Sequence, residues 1–133
     1  PALWRVKVKP GKPFLFASPQ EPHLTHVFGM PGNPVSSFVT FMLFVRPALL
    51  KLMGASAENQ RPRLMPVTVA AKLHNKGDRP HYLRGVLASG QFVPFGLQQS
   101  HAVLSLSRSE ALLRLEAEQE LQAGDAAQAW LLD

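Results

Sequence analysis

The chain has 133 residues, no cysteine and an apolar content of 46%, which is typical of a globular protein with a buried core. Without cysteine it can form neither disulfides nor thiolate metal sites, and the N-terminus lacks a signal-peptide pattern, so we expect a cytoplasmic protein. The longest apolar stretch, residues 38–52, is interrupted by Thr40, Arg46, Pro47 and Lys51, so we expect no membrane span and no membrane partner.

Charge is distributed unevenly along the sequence. Thirteen of the 14 Lys and Arg residues but only three of the nine acidic residues precede residue 110, so the net charge is about +10 before it and about −5 from it onwards. Such a basic region attracts anions, although general solubility is an alternative explanation. The sequence contains no RNA-binding aromatic motif and no zinc-finger spacing, so we expect no nucleic-acid partner.

Three short strands are predicted in the first 30 residues. Residues 3–8 alternate between apolar and basic side chains, which is typical of a strand with one buried face. Short apolar runs at residues 14–17 and 26–29 predict two further strands, separated by Pro-containing turns.

A helix is predicted over residues 35–45. Asn33 is a suitable N-cap, Pro34 occupies the first helical position, where proline is tolerated, and the apolar positions predict a mostly buried helix. Pro47 is expected to kink or restart this helix, which then continues to a C-terminal cap at Gly54.

Composition changes at residues 55–62, where apolar periodicity is absent and a linker is expected. The residues beyond it form short apolar runs typical of a small all-β unit, either a sandwich or a barrel. The predicted strands are residues 67–73, 81–87, 92–95, 111–115 and 127–132. Residues 101–107 fit either a helical turn or a strand. The sequence therefore predicts two domains, residues 1–58 and 62–133.

The first candidate motif is Lys9-Pro10-Gly11-Lys12-Pro13, called the lysine turn below. It carries two ammonium groups on a short turn stiffened by proline, and two such cations can hold a phosphate or another oxyanion. The alternative interpretation is a solvated strand end.

The second motif, residues 29–36 with the sequence Gly-Met-Pro-Gly-Asn-Pro-Val-Ser, joins a predicted strand to a helix N-terminus and is called the glycine loop below. Glycines allow close approach of a ligand to the backbone, and the N–H groups and dipole of a helix start favour an anion. The motif matches neither the P-loop nor the dinucleotide-binding pattern. The alternatives are a tight turn with a cap and, for Ser36, a hydroxyl bonded to the backbone.

These two motifs, followed by Phe41-x-Leu43-Phe44-Val45-Arg46-Pro47-Ala48-Leu49, resemble the molybdopterin molybdenumtransferase and gephyrin family. Weaker similarity continues through residues 82–87, 99–101 and 121–125, so the resemblance covers nearly the whole chain. It implies an α+β protein: the C-terminal piece of a three-layer α/β molybdopterin-binding domain, followed by a small β-barrel. Family members are much longer, so we expect the chain to be a fragment.

The resemblance also implies a reaction, namely insertion of molybdate into adenylylated molybdopterin with release of AMP, assisted by Mg²⁺. It implies a homodimer as well. The family's functional positions are carried over to Lys9 and Lys12 as catalytic residues and to a set of substrate-binding residues. That set is Gly29, Pro31, Gly32, Asn33, Pro34, Ser36, Arg84 and Ser100.

Two features depart from the family pattern. Gln99 stands where relatives usually have glycine before the serine equivalent to Ser100, and the family's acidic metal ligands have no counterparts here. The acids before residue 110 are Glu21, Glu58 and Asp78, which have no metal-ligand spacing, so we assign no metal ligand and expect the fragment to be inactive alone.

The remaining titratable residues suggest no further site. The five histidines are interpreted as surface or turn residues, and Glu116, Glu118 and Glu120 as a solvated strand edge. A functional alternative is a non-catalytic scaffold of the gephyrin type, which binds a partner peptide and dimerises. No hydrophobic groove for a peptide is evident in the sequence.

Overall fold

The computed structural model describes residues 3–5, 9, 14–19, 25–95 and 107–132, with the backbone alone for residues 3–5. The chain forms two compact units, Pro1–Arg61 and Pro62–Asp133.

The first unit contains a three-stranded antiparallel sheet in the order β1-β2-β3. Its strands are β1 (Leu3–Arg5), β2 (Leu15–Ala17) and β3 (Val27–Gly29). The three predicted strands are therefore present, although residues 6–8 of the first prediction lie outside the described residues. Phe16 and Phe28 are opposite each other on β2 and β3, and their ring centroids are 5.2 Å apart, so the paired strands share an aromatic face.

A continuous helical segment follows β3. It consists of α1 (Pro34–Thr40), a π-helical turn (Phe41–Val45) and α2 (Arg46–Leu52). The predicted N-cap is confirmed, because the Asn33 side-chain oxygen accepts hydrogen bonds from the amides of Val35 and Ser36. The expected cap at Gly54 is also confirmed: Gly54 has a φ of 88°, and the Ala55 amide donates to the Leu50 carbonyl, as in a Schellman motif.

The predicted restart of the helix at Pro47 is observed, because a new α-helical segment, α2, begins at Arg46 with Pro47 in its first turn. A proline lacks an N–H, and its ring clashes with the carbonyl four residues earlier, here that of Leu43. The helix accommodates this by widening one turn, in which the Arg46 amide donates to the Phe41 carbonyl five residues earlier. The helical axis therefore continues to Leu52.

The stretch Pro34–Leu52 is 19 residues long, and by length and composition alone it could cross a membrane. Core helices of soluble proteins pass the same test, so the finding is weak evidence for a span. It nevertheless differs from the sequence-based expectation that charged and proline residues exclude one.

The predicted linker is shorter than expected. Ser56 caps a short helix α3 (Ala57–Gln60) by accepting a hydrogen bond from the Asn59 amide. The Gln60 side chain also donates to the Ala55 carbonyl at 2.9 Å. These local bonds give helical structure to a polar segment that has no apolar periodicity.

The second unit is a closed five-stranded barrel in the order β10-β4-β7-β6-β8, with a two-stranded ladder β5-β9 beside it. Its strands are β4 (Leu64–Val69), β5 (Leu73–His74), β6 (His81–Ala88), β7 (Gln91–Pro94), β8 (Ala111–Leu115), β9 (Glu120–Leu121) and β10 (Ala126–Leu131). The β4–β7 pair is parallel, and the other barrel pairs are antiparallel. The sequence left sandwich and barrel open, and the structure has a barrel. The α+β class and the β-barrel are thus confirmed, whereas a complete α/β domain is not present in the chain.

Strand alternation fills the barrel interior with apolar side chains. The central cluster comprises Val67, Val69, Leu73, Phe92, Ala111, Leu113, Leu115 and Ala129. At Gly85 on β6, an added Cβ would lie 2.5 Å from the Val93 carbonyl oxygen and 2.6 Å from the Phe92 ring. This position therefore requires glycine, because the facing backbone and the ring occupy the space of a side chain.

Asn75 organises one end of the barrel. It is 2% exposed, and its amide nitrogen donates to the carbonyls of Arg79 at 2.8 Å and Glu116 at 2.9 Å. Its side-chain oxygen accepts from the Gly77 amide at 3.0 Å. The buried amide thus connects the loop after β5 to the end of β8.

We expected the acidic tail to form a solvated strand edge, but its carboxylates do not lie on one continuous strand. Glu116 and Glu118 lie outside the strands, Glu118 in a turn with a φ of 62°, and only Glu120 belongs to β9. Glu120 forms an ion pair with Lys72 at 3.0 Å. The alternation of carboxylates in the sequence therefore reflects a turn and a short ladder.

Candidate functional site

β2 begins and β3 ends at the same end of the first sheet. β2 and β3 are antiparallel, and Leu15 at the start of β2 is the Cα partner of Gly29 at the end of β3. The lysine turn precedes β2 and the glycine loop follows β3, so the chain enters and leaves this strand pair at one place. Lys9 is exposed, and Lys12 lies outside the described residues.

The glycines and prolines of the glycine loop differ in their surroundings. A Cβ at Gly29 would lie 3.2 Å from the Leu15 Cβ, so this glycine is needed for the pairing of β2 with β3. Pro31 is buried and Pro34 is exposed. A Cβ at Gly32 would meet no heavy atom within 4 Å, and Gly32 is not in the left-handed region. Nothing within the described protein therefore requires glycine at position 32.

The start of α1 does not offer the free backbone N–H groups that the sequence suggested for binding an anion. Pro34 has no N–H, and the amides of Val35 and Ser36 donate to the Asn33 side chain at 2.9 and 3.3 Å. The Ser37 amide donates to the Asn33 carbonyl. The expectation of free helix-start amides is therefore wrong, because Asn33 itself satisfies them.

Two amides just before the helix remain available. No acceptor among the described residues is within hydrogen-bonding distance of the Gly32 or Asn33 amide, and both residues are exposed. These two N–H groups lie beside the open space over Gly32 and next to the positive end of the helix. An anion approaching here would meet the backbone donors of Gly32 and Asn33 instead of those of the first helical turn.

Ser36 is half-buried in the first turn of α1, and its hydroxyl makes no hydrogen bond within the described part of the chain. Its carbonyl accepts a hydrogen bond from the fully buried Thr40 hydroxyl at 2.7 Å, and the Ser37 carbonyl accepts from the same hydroxyl at 3.1 Å. The alternative that the Ser36 hydroxyl is bonded to the backbone is therefore not observed among the described residues, where Thr40 makes the side-chain to backbone bonds of this turn.

Arg84 belongs to the second unit, on β6 opposite Leu112 of β8. Its neighbours Leu83 and Gly85 face the barrel core, so alternation directs Arg84 to the outer face. Partial burial lowers the pKa of the guanidinium, which stays a cation at physiological pH. Ser100, the other site residue predicted in this unit, lies outside the described residues.

Sequence reasoning missed an ordered arginine near Arg84. Arg114 donates to both Glu116 oxygens, at 2.7 and 3.3 Å, and to the Tyr82 hydroxyl at 2.8 Å. The hydrogen bond with Glu116 raises the pKa of Arg114, and Arg114 lowers the pKa of Glu116. The sign of this ion pair in the sequence was the spacing of Arg114 and Glu116, which are two positions apart. Because all three of its guanidinium nitrogens donate hydrogen bonds within the protein, we assign Arg114 a structural role.

Sequence reasoning also missed the aromatic cluster behind the two motifs. Phe14 follows the lysine turn directly and is 2% exposed, and its ring contacts those of Phe28 and Phe44. The cluster joins β3, the π turn and the segment before β2. The sequence contains the three phenylalanines, but only tertiary packing brings their rings into contact.

A divalent metal, which the family resemblance implies, does not fit the described residues. They contain no group of three or more His, Asp or Glu side chains that could hold an ion. We therefore derive no step through magnesium.

Comparison with solved structures supports the architecture. The chain matches the molybdopterin biosynthesis MoeA protein of Pyrococcus horikoshii with a TM-score of 0.78 and 25% identity, covering 97% of this chain and 32% of that one. It also matches a molybdenum cofactor biosynthesis protein of Pyrococcus furiosus with a TM-score of 0.77 and 25% identity, covering 97% of this chain and 45% of that one.

Curated relatives agree with this match. Gephyrin of Dictyostelium discoideum is 37% identical over 84% of this chain and 19% of its own length. The molybdopterin molybdenumtransferase of Haemophilus influenzae is 31% identical over 92% of this chain and 31% of its own length. The molybdenum cofactor synthesis protein cinnamon of Drosophila melanogaster is 58% identical over 51% of this chain. The chain thus spans about a third or less of the relatives it matches, and their names support a role in molybdenum cofactor biosynthesis.

The family itself is identified by the second unit. A family model described as the MoeA C-terminal region (domain IV) matches residues 59–132, more than half of the chain and all of the barrel. The fold, the structural neighbours and this match agree, and the chain belongs to the MoeA C-terminal region family.

Proposed function

We propose that this chain is the part of a molybdenum-inserting enzyme that holds anionic groups of its substrates. The overall reaction is molybdate insertion into adenylylated molybdopterin with release of AMP. Both substrates and AMP are oxyanions at neutral pH. A site for them needs cations and backbone donors that face an open space.

The pairing of Leu15 with Gly29 carries the proposal. This pair brings the entry of β2 and the exit of β3 together, and in the sequence Lys12 and Gly32 each lie three positions from one member of the pair. Lys12 is three positions before Leu15 in the sequence, a span of at most about 11 Å. A lysine side chain can reach the glycine loop across such a distance.

The environment of Gly32 also supports anion binding. No heavy atom of the described residues lies within 4 Å of a Cβ position at Gly32, and the amides of Gly32 and Asn33 have no acceptor among those residues. The Asn33 side-chain oxygen already accepts the hydrogen bonds of the helix cap, so Asn33 would bind the anion through its backbone N–H. Pro31, buried at the base of the loop, and Pro34, at the helix start, would fix the direction in which these amides point.

Lysines would supply the charge. Lys9 is exposed on the strand side of the lysine turn, and no acidic cluster among the described residues competes for it. An ammonium group binds phosphate or molybdate as a point charge, and each charge-assisted hydrogen bond contributes about 1.5–3 kcal/mol. In the second unit we keep Arg84 and Ser100 as proposed anion contacts, and Arg84 has the partial burial that strengthens such an interaction.

A scaffold function of the gephyrin type remains the alternative. The similarity to a gephyrin supports it, as do the exposed apolar side chains of Leu49, Leu52 and Met53 near the end of α2. The same exposed residues support our proposal that the protein self-associates as a homodimer. We further propose a cytoplasmic location.

Titration of molybdate into the 133-residue chain tests the anion site. We expect Lys12→Ala and Gly32→Val each to weaken binding about tenfold or more, because the first removes a charge and the second fills the open space. Lys51→Ala is the matched control, since Lys51 is an exposed lysine of the same unit at the far end of the helix. Its binding should stay within about twofold of the original.

Circular dichroism would accompany each titration, because loss of binding counts only for a folded variant. Equal affinity of Lys12→Ala and the unmodified chain would contradict the proposed role of the lysine turn. Equal weakening by Lys12→Ala and Lys51→Ala would indicate general attraction by a basic protein instead of a site.

A further inference from the structure

The Phe14 ring lies between two rings that belong to different elements. The Phe44 ring centroid is 5.0 Å away with an interplanar angle of 28°, and the Phe28 centroid is 6.3 Å away with an angle of 38°. Phe14 directly follows the lysine turn, and Phe28 directly precedes Gly29. The cluster is therefore adjacent in sequence to both motifs of the proposed anion site, through side chains that have no group with which to bind an anion.

Phe44 reaches this cluster from the π turn. The turn contains one more residue than an α-helical turn, as the bond from the Arg46 amide to the Phe41 carbonyl demonstrates. One extra residue rotates the following part of a helix by about 100° relative to an uninterrupted α-helix. The position of Phe44 therefore depends on the π turn, for which Pro47 supplies the physical cause.

We propose that Phe44 is a positioning residue that sets the separation between the start of β2 and the glycine loop. The π turn holds the Phe44 ring against Phe14, and the contact of Phe14 with Phe28 transmits that position to the residue before Gly29. Because a packed interior does not deform freely, a change in the Phe44 ring moves the backbone on which the anion-binding groups are placed. This inference rests on the proposed function and adds a residue that acts on the site through Phe14.

The test compares two substitutions in the same turn. Phe44→Leu removes the ring stacked on Phe14, whereas Phe41→Leu removes a ring that is 38% exposed and has no ring contact among the described residues. We expect Phe44→Leu to weaken molybdate binding about five- to tenfold and Phe41→Leu to leave it within about twofold. A third variant, Pro47→Ala, removes the cause of the π turn. It should weaken binding while leaving the thermal midpoint unchanged or raised, a combination that a purely structural role would not produce.

A second readout does not depend on binding. In ¹⁵N-edited NMR spectra of the unliganded chain, Phe44→Leu should shift the amide signals of Gly29 and Gly32, and Phe41→Leu should not. If the unmodified chain fails to bind molybdate, the proposed function fails, and these amide shifts still decide the positioning role. Normal molybdate affinity in Phe44→Leu, or unshifted amides at Gly29 and Gly32, overturns it.

Discussion

Replacing Gly85 with alanine should strongly destabilise the barrel, because the added methyl group has no room. The new Cβ would lie 2.5 Å from the Val93 carbonyl oxygen and 2.6 and 2.8 Å from two atoms of the Phe92 ring. The oxygen belongs to the β7 backbone, paired with β6, and Phe92 is fully buried, so neither group can move away freely. Overpacking costs about 1–3 kcal/mol, and we expect the upper end, about 3 kcal/mol.

That loss is large for a unit of this size. A domain of roughly 70 residues has a free energy of unfolding of about 4–10 kcal/mol, so about 3 kcal/mol would lower its thermal midpoint by roughly 12–24 °C. Urea unfolding followed by the fluorescence of the buried Trp130 measures the effect, in a Trp4→Phe background because the chain has two tryptophans.

Gly90→Ala is the matched control for this substitution. Gly90 has a φ of 79° and no heavy atom within 4 Å of its Cβ position, so alanine there adds about 1–2 kcal/mol of backbone strain without a clash. If Gly85→Ala costs less than Gly90→Ala, the close approach of Phe92 and Val93 is not what requires glycine in β6.

Three further predictions concern other parts of the chain. Asn75→Ala should cost about 2–3 kcal/mol, measured by urea unfolding, because buried carbonyls lose their donor; a loss below about 0.5 kcal/mol would contradict this. The hydrogen bond from Lys72 holds the pKa of Glu120 below its usual range. This interaction therefore stabilises the fold at pH values above the unfolded-state pKa of Glu120, and the stabilisation is lost as the pH falls through the folded-state pKa. Carboxyl ¹³C titration should find a higher Glu120 pKa in Lys72→Met, and an unchanged pKa would refute the pairing. Lys substitutions at Leu52 and Met53 should weaken self-association in sedimentation velocity, and a monomeric unmodified chain at all concentrations would refute the dimer.

Much of the fold was predictable because local signals and tertiary packing agree. Asn33 and Gly54 mark the ends of the helix with chemistry that hardly depends on context: one accepts amide protons, and the other adopts a positive φ. The short apolar runs at residues 81–87 and 111–115 match β6 and β8 closely, since both strands contribute side chains to the barrel core.

The features that were not predictable depend on the neighbours of a residue in space. Pro47 was expected to kink or restart the helix, and the observed π turn also depends on how the flanking residues pack. The choice between sandwich and barrel depends on the parallel β4–β7 pair, which joins strands far apart in sequence. For the candidate site, the sequence predicted the glycine loop but misjudged which amides are available, because one residue, Asn33, both belongs to the motif and caps the helix.

The closure of the barrel has a consequence for folding during synthesis. β10, the last strand of the second unit, pairs with its first strand, β4, and with β8. Until the ribosome has released residues 126–131, β4 and β8 both present unpaired edges, and the core between them is open to water. The second unit should therefore fold only after its final strand has emerged, and a nascent chain stalled before residue 126 should be a better substrate for proteases and chaperones than one stalled shortly after release.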